Sequence, residues 1–180
     1  MTDEITMRLG VSELPIAFGV IIAVLSGMSA ELLNISNRNR LRRRHWLAWI
    51  VLCAALAIHV ADEALTDFLA IYNPAVISMR AKYPWLPLPA FIFEIWLALL
   101  VFAIVLLAAS SCFVWRGRWA MRPISHVFAG FMLLNGLLHI AGSIYFGYFM
   151  PGVYSSPLLI AASVLLITST RAYSSNKEAR

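Results

Sequence analysis

The run from Trp46 to Ile71 is long and apolar enough to cross a membrane, yet it carries His59, Asp62 and Glu63 in its interior. A spanning helix needs about 20 mostly apolar residues to cross a hydrocarbon core ~30 Å thick. Each charged side chain at bilayer depth costs roughly 2.5–3.5 kcal/mol on insertion scales. Three such groups within one turn must be neutralised by protons, paired with other polar groups, or bound to a cation. At about 100° per residue, His59 and Glu63 stand one turn apart on the same helical face, with Asp62 beside them.

Four further apolar runs accompany this one. The expected spans are residues 14–34, 46–71, 88–115, 124–149 and 153–172, giving an all-α integral membrane bundle of five transmembrane helices. Of the 180 residues, 61% are hydrophobic and 13% charged, and the mean hydropathy is +0.79, outside the soluble range. No Gly/Ser-rich or acidic linker interrupts the runs, so residues 1–180 read as a single transmembrane domain. The net charge of +5 reflects arginines bordering the spans, with no nucleic-acid signature beside them. Arg38 to Arg44, then Arg116 to Arg122, then Arg171 to Arg180 fall on one side, opposed only by Arg8, Arg80 and Lys82. The excess predicts an outside N-terminus, a cytoplasmic C-terminus and a plasma or inner membrane. Met1-Thr2-Asp3-Glu4 lacks the basic region of a secretory signal. Cys53 and Cys112 lie in expected spans and read as apolar fillers.

Five of the nine acidic residues fall inside expected spans: Glu31, Asp62, Glu63, Asp67 and Glu94. At 1.5 Å per residue, His59 lies roughly 20 Å from the cytoplasmic end of its span, and Glu94 roughly 9 Å below the outer end of the next. The fourth span carries Asn135 and His139, an i, i+4 pair at roughly 17–23 Å from the cytoplasmic end. His59, Asp62, Glu63, Glu94, Asn135 and His139 are therefore expected to form one polar site in the outer half of the membrane. Glu31 lies toward the other end, where it can snorkel or pair with an arginine. Asp67 reads as interfacial, Tyr145, Tyr148 and Tyr154 as an aromatic belt, and residues 72–87 as a turn-rich cap.

With His59-Val60-Ala61-Asp62-Glu63 and Asn135-Gly136-Leu137-Leu138-His139 in view, the chain resembles the HXXEE-motif membrane proteins over roughly residues 52–160. Those carry H-x-x-E-E on one span and N-x-x-x-H on a later one, followed by a tyrosine and Pro-Gly, which Tyr148, Pro151 and Gly152 resemble here. Asp62 replaces the first glutamate, and the tyrosine-to-proline spacing is one residue longer. The resemblance implies a small multi-span protein and names no activity.

The residues themselves leave several chemistries open. Two imidazoles with two or three carboxylates form a ligand set used for zinc, iron or manganese. The metal candidates are His59, Asp62, Glu63, Glu94 and His139; the catalytic candidates are Glu63, Glu94 and Asn135. Such a centre points to an intramembrane enzyme, a hydrolase or an oxidoreductase, on a lipidic or amphipathic substrate, although no complete H-E-x-x-H motif is present. Metal-free acid–base chemistry, as in membrane sterol isomerases, uses the same residue types. Haem is disfavoured. His45 and His59 return within about 40° of one face, but His126 and His139 fall about 140° apart, so two stacked haems do not fit. Single-haem ligation by His59 and His139 stays open, and His45 and His126 read as interfacial. An ion- or proton-coupled transport component is the non-enzymatic alternative, with Gly130, Gly136 and Gly142 permitting close helix approach in a homo-oligomer.

Overall fold

A computed structural model describes the backbone of residues 14–178 and the side chains of residues 36, 37 and 39–172. The described residues divide between Arg40 and Leu41 into two units. Among the described residues there are five helices: α1 (Leu14–Leu65), α2 (Phe68–Lys82), α3 (Phe93–Trp115), α4 (Met121–Phe146) and α5 (Ser156–Glu178). Among them, three stretches are long and apolar enough to cross a membrane: Asn39–Leu65 of α1, all of α3 and all of α4. Ser156–Ala172 of α5 is apolar but shorter. The expected first span, residues 14–34, is helical in backbone, and its side chains, Glu31 included, lie outside the described residues.

Two expected loops are helical instead. Residues 35–45 belong to α1, because the arginines that mark a topological boundary are also good helix formers, with no Gly or Pro among them. The expected cap begins as helix too, since α2 runs on to Lys82 with Pro74 inside it. Pro74 removes one amide donor, but Ala75 to Lys82 continue with residues that tolerate helix well. Only residues 83–92 are irregular, where Pro84, Pro87 and Pro89 withhold donors. Asn73 fastens this segment with its amide, donating from Nδ2 to the Phe91 carbonyl at 2.8 Å and accepting the Phe91 N–H at 3.0 Å.

α1 and α2 part at Asp67, whose φ of 58° and ψ of 50° place it in the left-handed region. Aspartate is one of the few side chains that visit this region readily. Just before it, Thr66 donates both its N–H and its hydroxyl to the Asp62 carbonyl, at 3.0 and 2.6 Å, closing the last turn of α1.

Within the second unit, α1 is the central helix. His45, Ala48, Trp49, Leu52, Cys53, Ala55, Leu56, His59, Val60 and Glu63 are buried, a stripe spaced by three and four residues. Half of its most apolar stretch is buried, against 6% for α3, which suits α3 to a lipid-facing position. Between apolar helices in lipid, close packing and hydrogen bonds replace the hydrophobic effect as the source of association. Trp49 illustrates both: fully buried, its indole N–H donates to the Leu107 carbonyl at 2.9 Å, and its ring lies 5.2 Å from that of Phe128. At Gly136 a Cβ would come 2.9 Å from Ile160 Cγ1 and 3.2 Å from the Ser156 carbonyl, so this glycine lets α4 press against α5. Gly136 thus serves packing inside the chain.

Candidate metal centre

α1 contributes His59 and Glu63, one turn apart, and α4 contributes His139. All three are buried, with relative exposures of 0, 6 and 6%. Glu63 Oε1 lies 3.1 Å from His139 Nε2 and 3.5 Å from His59 Nε2. Their ligand atoms all fall within 4.8 Å of one another, the arrangement able to hold a metal ion among the described residues. The rings meet edge to face, with centroids 4.9 Å apart.

The hydrogen bonds behind the rings fix which nitrogen carries a proton. His139 Nδ1 lies 2.5 Å from the Pro151 carbonyl, which can only accept, so Nδ1 is protonated. His59 Nδ1 lies 2.8 Å from Ser155 Oγ. That hydroxyl donates to Asp62 Oδ2 at 2.7 Å and so accepts the Nδ1 proton of His59. The Ser155 N–H also donates to Asp62 Oδ2, at 2.9 Å, which holds serine and aspartate in register. Asn135 Nδ2 lies 3.0 Å from His59 Nε2 and donates to its lone pair. In His59, therefore, Nδ1 is the donor and Nε2 the acceptor, its one lone pair held by the Asn135 amide, which an ion bound at Nε2 would displace.

The segment joining α4 to α5 closes the site from behind. Gly152 has φ +82°, and a Cβ there would lie 2.9 Å from His139 Nδ1 and Cε1 and 3.0 Å from His59 Cε1. Both its conformation and the space left by the two rings exclude a side chain. Gly152 also accepts a hydrogen bond from Ser156 Oγ at 2.7 Å, anchoring the turn to the start of α5. On the other flank, the Phe68 ring of α2 lies 5.8 Å from the His139 ring and stacks on Trp96 of α3 at 5.9 Å.

Of the residues expected in the site, His59, Glu63 and His139 converge and Asn135 touches His59. Asp62 stands one link away, its carboxylate taken by Ser155, because successive residues on a helix diverge by about 100°. Glu94 is exposed in the first turn of α3 and takes no part in the three-residue group. α3 starts at Phe93, five residues later than the expected span, so Glu94 sits at a helix end. Asp67 is exposed at the α1–α2 break, and Tyr145, Tyr148 and Tyr154 are exposed. His45, expected at an interface, is buried, with Nε2 2.8 Å from Ser125 Oγ. Sequence reasoning missed Ser155, whose only signal was a pair of hydroxyl residues, Ser155-Ser156, just after Pro151-Gly152.

No protein-family model matches the chain, and neither a curated protein nor a solved structure matches it.

Proposed function

We propose that this chain is an integral membrane protein whose buried polar site binds one divalent metal ion through His59 Nε2, Glu63 and His139 Nε2. The observation that carries the reading is the outward commitment of both Nδ1 atoms, which leaves two Nε2 atoms facing one carboxylate. Ligands about 2.0–2.1 Å from a tetrahedral ion stand roughly 3.3 Å apart. The Nε2–Oε1 separations of 3.1 and 3.5 Å bracket that spacing. Two histidines and one glutamate are the protein ligands of catalytic zinc sites that keep a fourth position open, and two histidines with one carboxylate also serve non-haem iron. A bound ion would supply Lewis acidity there. The chain's own groups would orient and exclude: Asn135 presents an amide N–H beside the ligands, Ser155 and Asp62 hold the His59 ring, and Phe68 shields His139. The substrate class that fits is lipidic or amphipathic, reached from the bilayer.

In this reading the three long apolar stretches, Asn39–Leu65, α3 and α4, cross the membrane with their arginine-bearing ends in the cytoplasm. Supporting it, the arginine-bearing part of α1, the end of α3 and the start of α4 share one end of the second unit. Trp46 meets Trp115 at 5.2 Å, and His45 meets Ser125. The metal site then lies about 21 Å further along α1, toward the outer half, at 1.5 Å per residue from His45 to His59. The H-x-x-[DE]-E, N-x-x-x-H and Pro-Gly elements all meet at this site, in keeping with the resemblance to the HXXEE-motif proteins.

Elemental analysis of the purified protein tests the reading. About one zinc, iron or manganese per chain is expected in the wild type, and none in His59→Ala or His139→Ala. A second reading rests on the 3.1 Å contact between His139 and Glu63, which also suits an imidazolium–carboxylate pair for metal-free acid–base chemistry. Wild-type protein that folds, takes up no ion when these metals are supplied, and yet loses function in Glu63→Gln would establish the second and overturn the first.

A further inference from the structure

At the arginine-bearing end of the second unit, α1 and α3 flank a groove of about 770 Å³ lined by Arg43, Trp46, Cys112, Trp115 and Arg116. Arg43 and Arg116 are exposed and supply two guanidinium groups to one opening. The indoles of Trp46 and Trp115 meet edge to face at 5.2 Å, and Arg42 lies over the Trp115 ring at 5.6 Å. Arg42 Nε is buried and has no hydrogen-bond acceptor. The chain has no Asp or Glu between residues 32 and 61 or between residues 95 and 177, so neither helix offers a carboxylate near this end.

We infer that this groove binds the headgroup of an anionic phospholipid, with its phosphate between Arg43 and Arg116. A guanidinium fork matches two phosphate oxygens, and Arg43 and Arg116 bring one each to the same opening. The tryptophans set the depth, since indole rings favour the boundary between headgroups and hydrocarbon. Basic pockets between spanning helices are suited to such headgroups. A lipid accounts for the walls better than a free anion does. The rest of the lining is apolar, Trp46 and Trp115 with Cys112, and an acyl chain can cover it. An inorganic anion would use the arginines and leave the indole surfaces uncovered.

Native mass spectrometry of the full chain, released from detergent after incubation with phosphatidylglycerol or phosphatidylcholine of identical acyl chains, tests this. The wild type is expected to retain one phosphatidylglycerol through activation energies that strip phosphatidylcholine. Each surface arginine contributes about fivefold to anionic lipid attraction, so Arg43→Gln/Arg116→Gln is expected to lose about 25-fold in preference. Arg44→Gln/Arg118→Gln removes the same charge from the same end outside the groove and is expected to keep most of it. Arg43→Lys/Arg116→Lys keeps the charge without the fork and is expected to fall between. Equal retention of the two lipids by the wild type, or equal losses in the groove and control variants, would overturn the proposal. So would displacement of phosphatidylglycerol by millimolar inorganic phosphate, which would mark a free-anion site. The melting temperature of the same samples in detergent reports folding independently of lipid.

Discussion

Asp62 acts on His59 through Ser155, although the two residues are only three apart on α1. Ser155 comes from the turn before α5, so the orientation of a ligand on the central helix depends on a segment far along the chain. A metal-ligating histidine is ordinarily fixed by what its other ring nitrogen touches, and loss of such a partner costs about 10–100-fold in metal affinity. Ser155→Ala removes both the acceptor for His59 Nδ1 and the donor to Asp62. Its zinc affinity, read by competition with a chromophoric chelator, is expected to fall within that range while saturating metal still gives one ion per chain. Asp62→Asn is expected to have a smaller effect, because Ser155 keeps its hydroxyl. An Asp62→Asn loss as complete as that of His59→Ala would instead make Asp62 a ligand.

Glu63 is expected to show opposite effects with and without metal. A carboxylate buried between two imidazoles is costly to keep charged without an ion, and a neutral amide relieves part of that cost. Chelator treatment is therefore expected to lower the melting temperature of the wild type and leave Glu63→Gln unmoved. Restoring metal at a hundred times its dissociation constant adds about 2.7 kcal/mol to the wild type alone. Differential scanning fluorimetry in detergent, with and without chelator, reads the difference. An equal chelator response in both proteins would place the metal elsewhere.

Much of this arrangement was legible in the sequence. A one-turn spacing puts His59 and Glu63 on one helical face whatever the tertiary fold, and Asn135 and His139 obey the same rule on α4. What periodicity cannot supply is which neighbouring helix ends where. Glu94 was placed by assuming that a span begins at Leu88, but Pro87 and Pro89 delay α3 to Phe93 and leave the carboxylate exposed. Asp62 carried the right residue type on the wrong azimuth. Ser155 was invisible for a different reason: its role depends on a hydroxyl meeting a ring across the bundle, and nothing in its local sequence reports that. Arginines were read as loop markers on account of their charge, whereas helix propensity keeps residues 35–45 in α1.

His45 provides a separate check on the four-histidine alternative. It is buried against Ser125, whose hydroxyl donates to the Met121 carbonyl at 2.6 Å and therefore accepts from His45 Nε2. His45 lies about 21 Å from His59 along α1, so it cannot share a ligand sphere with the metal candidates. His45→Ala is expected to lower the melting temperature by leaving a hole and an unfilled acceptor, while metal content stays at the wild-type value. The purified protein is expected to show no Soret absorption. A red preparation that bleaches in His45→Ala would make His45 a haem ligand and overturn the interfacial reading.

Two glycines with similar backbones separate conformational strain from contact. Gly147 has φ +73° with nothing within 4 Å of a would-be Cβ, whereas Gly152 has φ +82° and meets both imidazoles at 2.9–3.0 Å. Alanine at either position is expected to cost about 1–2 kcal/mol through the left-handed backbone alone. At Gly152 the added methyl must also displace a ring, and overpacking of that kind typically costs a further 1–3 kcal/mol. Gly147→Ala is therefore expected to lower stability modestly and leave metal content unchanged. Gly152→Ala is expected to be the less stable of the two and to bind metal poorly even where it remains folded, because the displaced rings are those of the proposed ligands. Thermal unfolding and metal titration on the pair would read both effects. Equal metal affinity in the two variants would show that the turn before α5 does not abut the ligand rings.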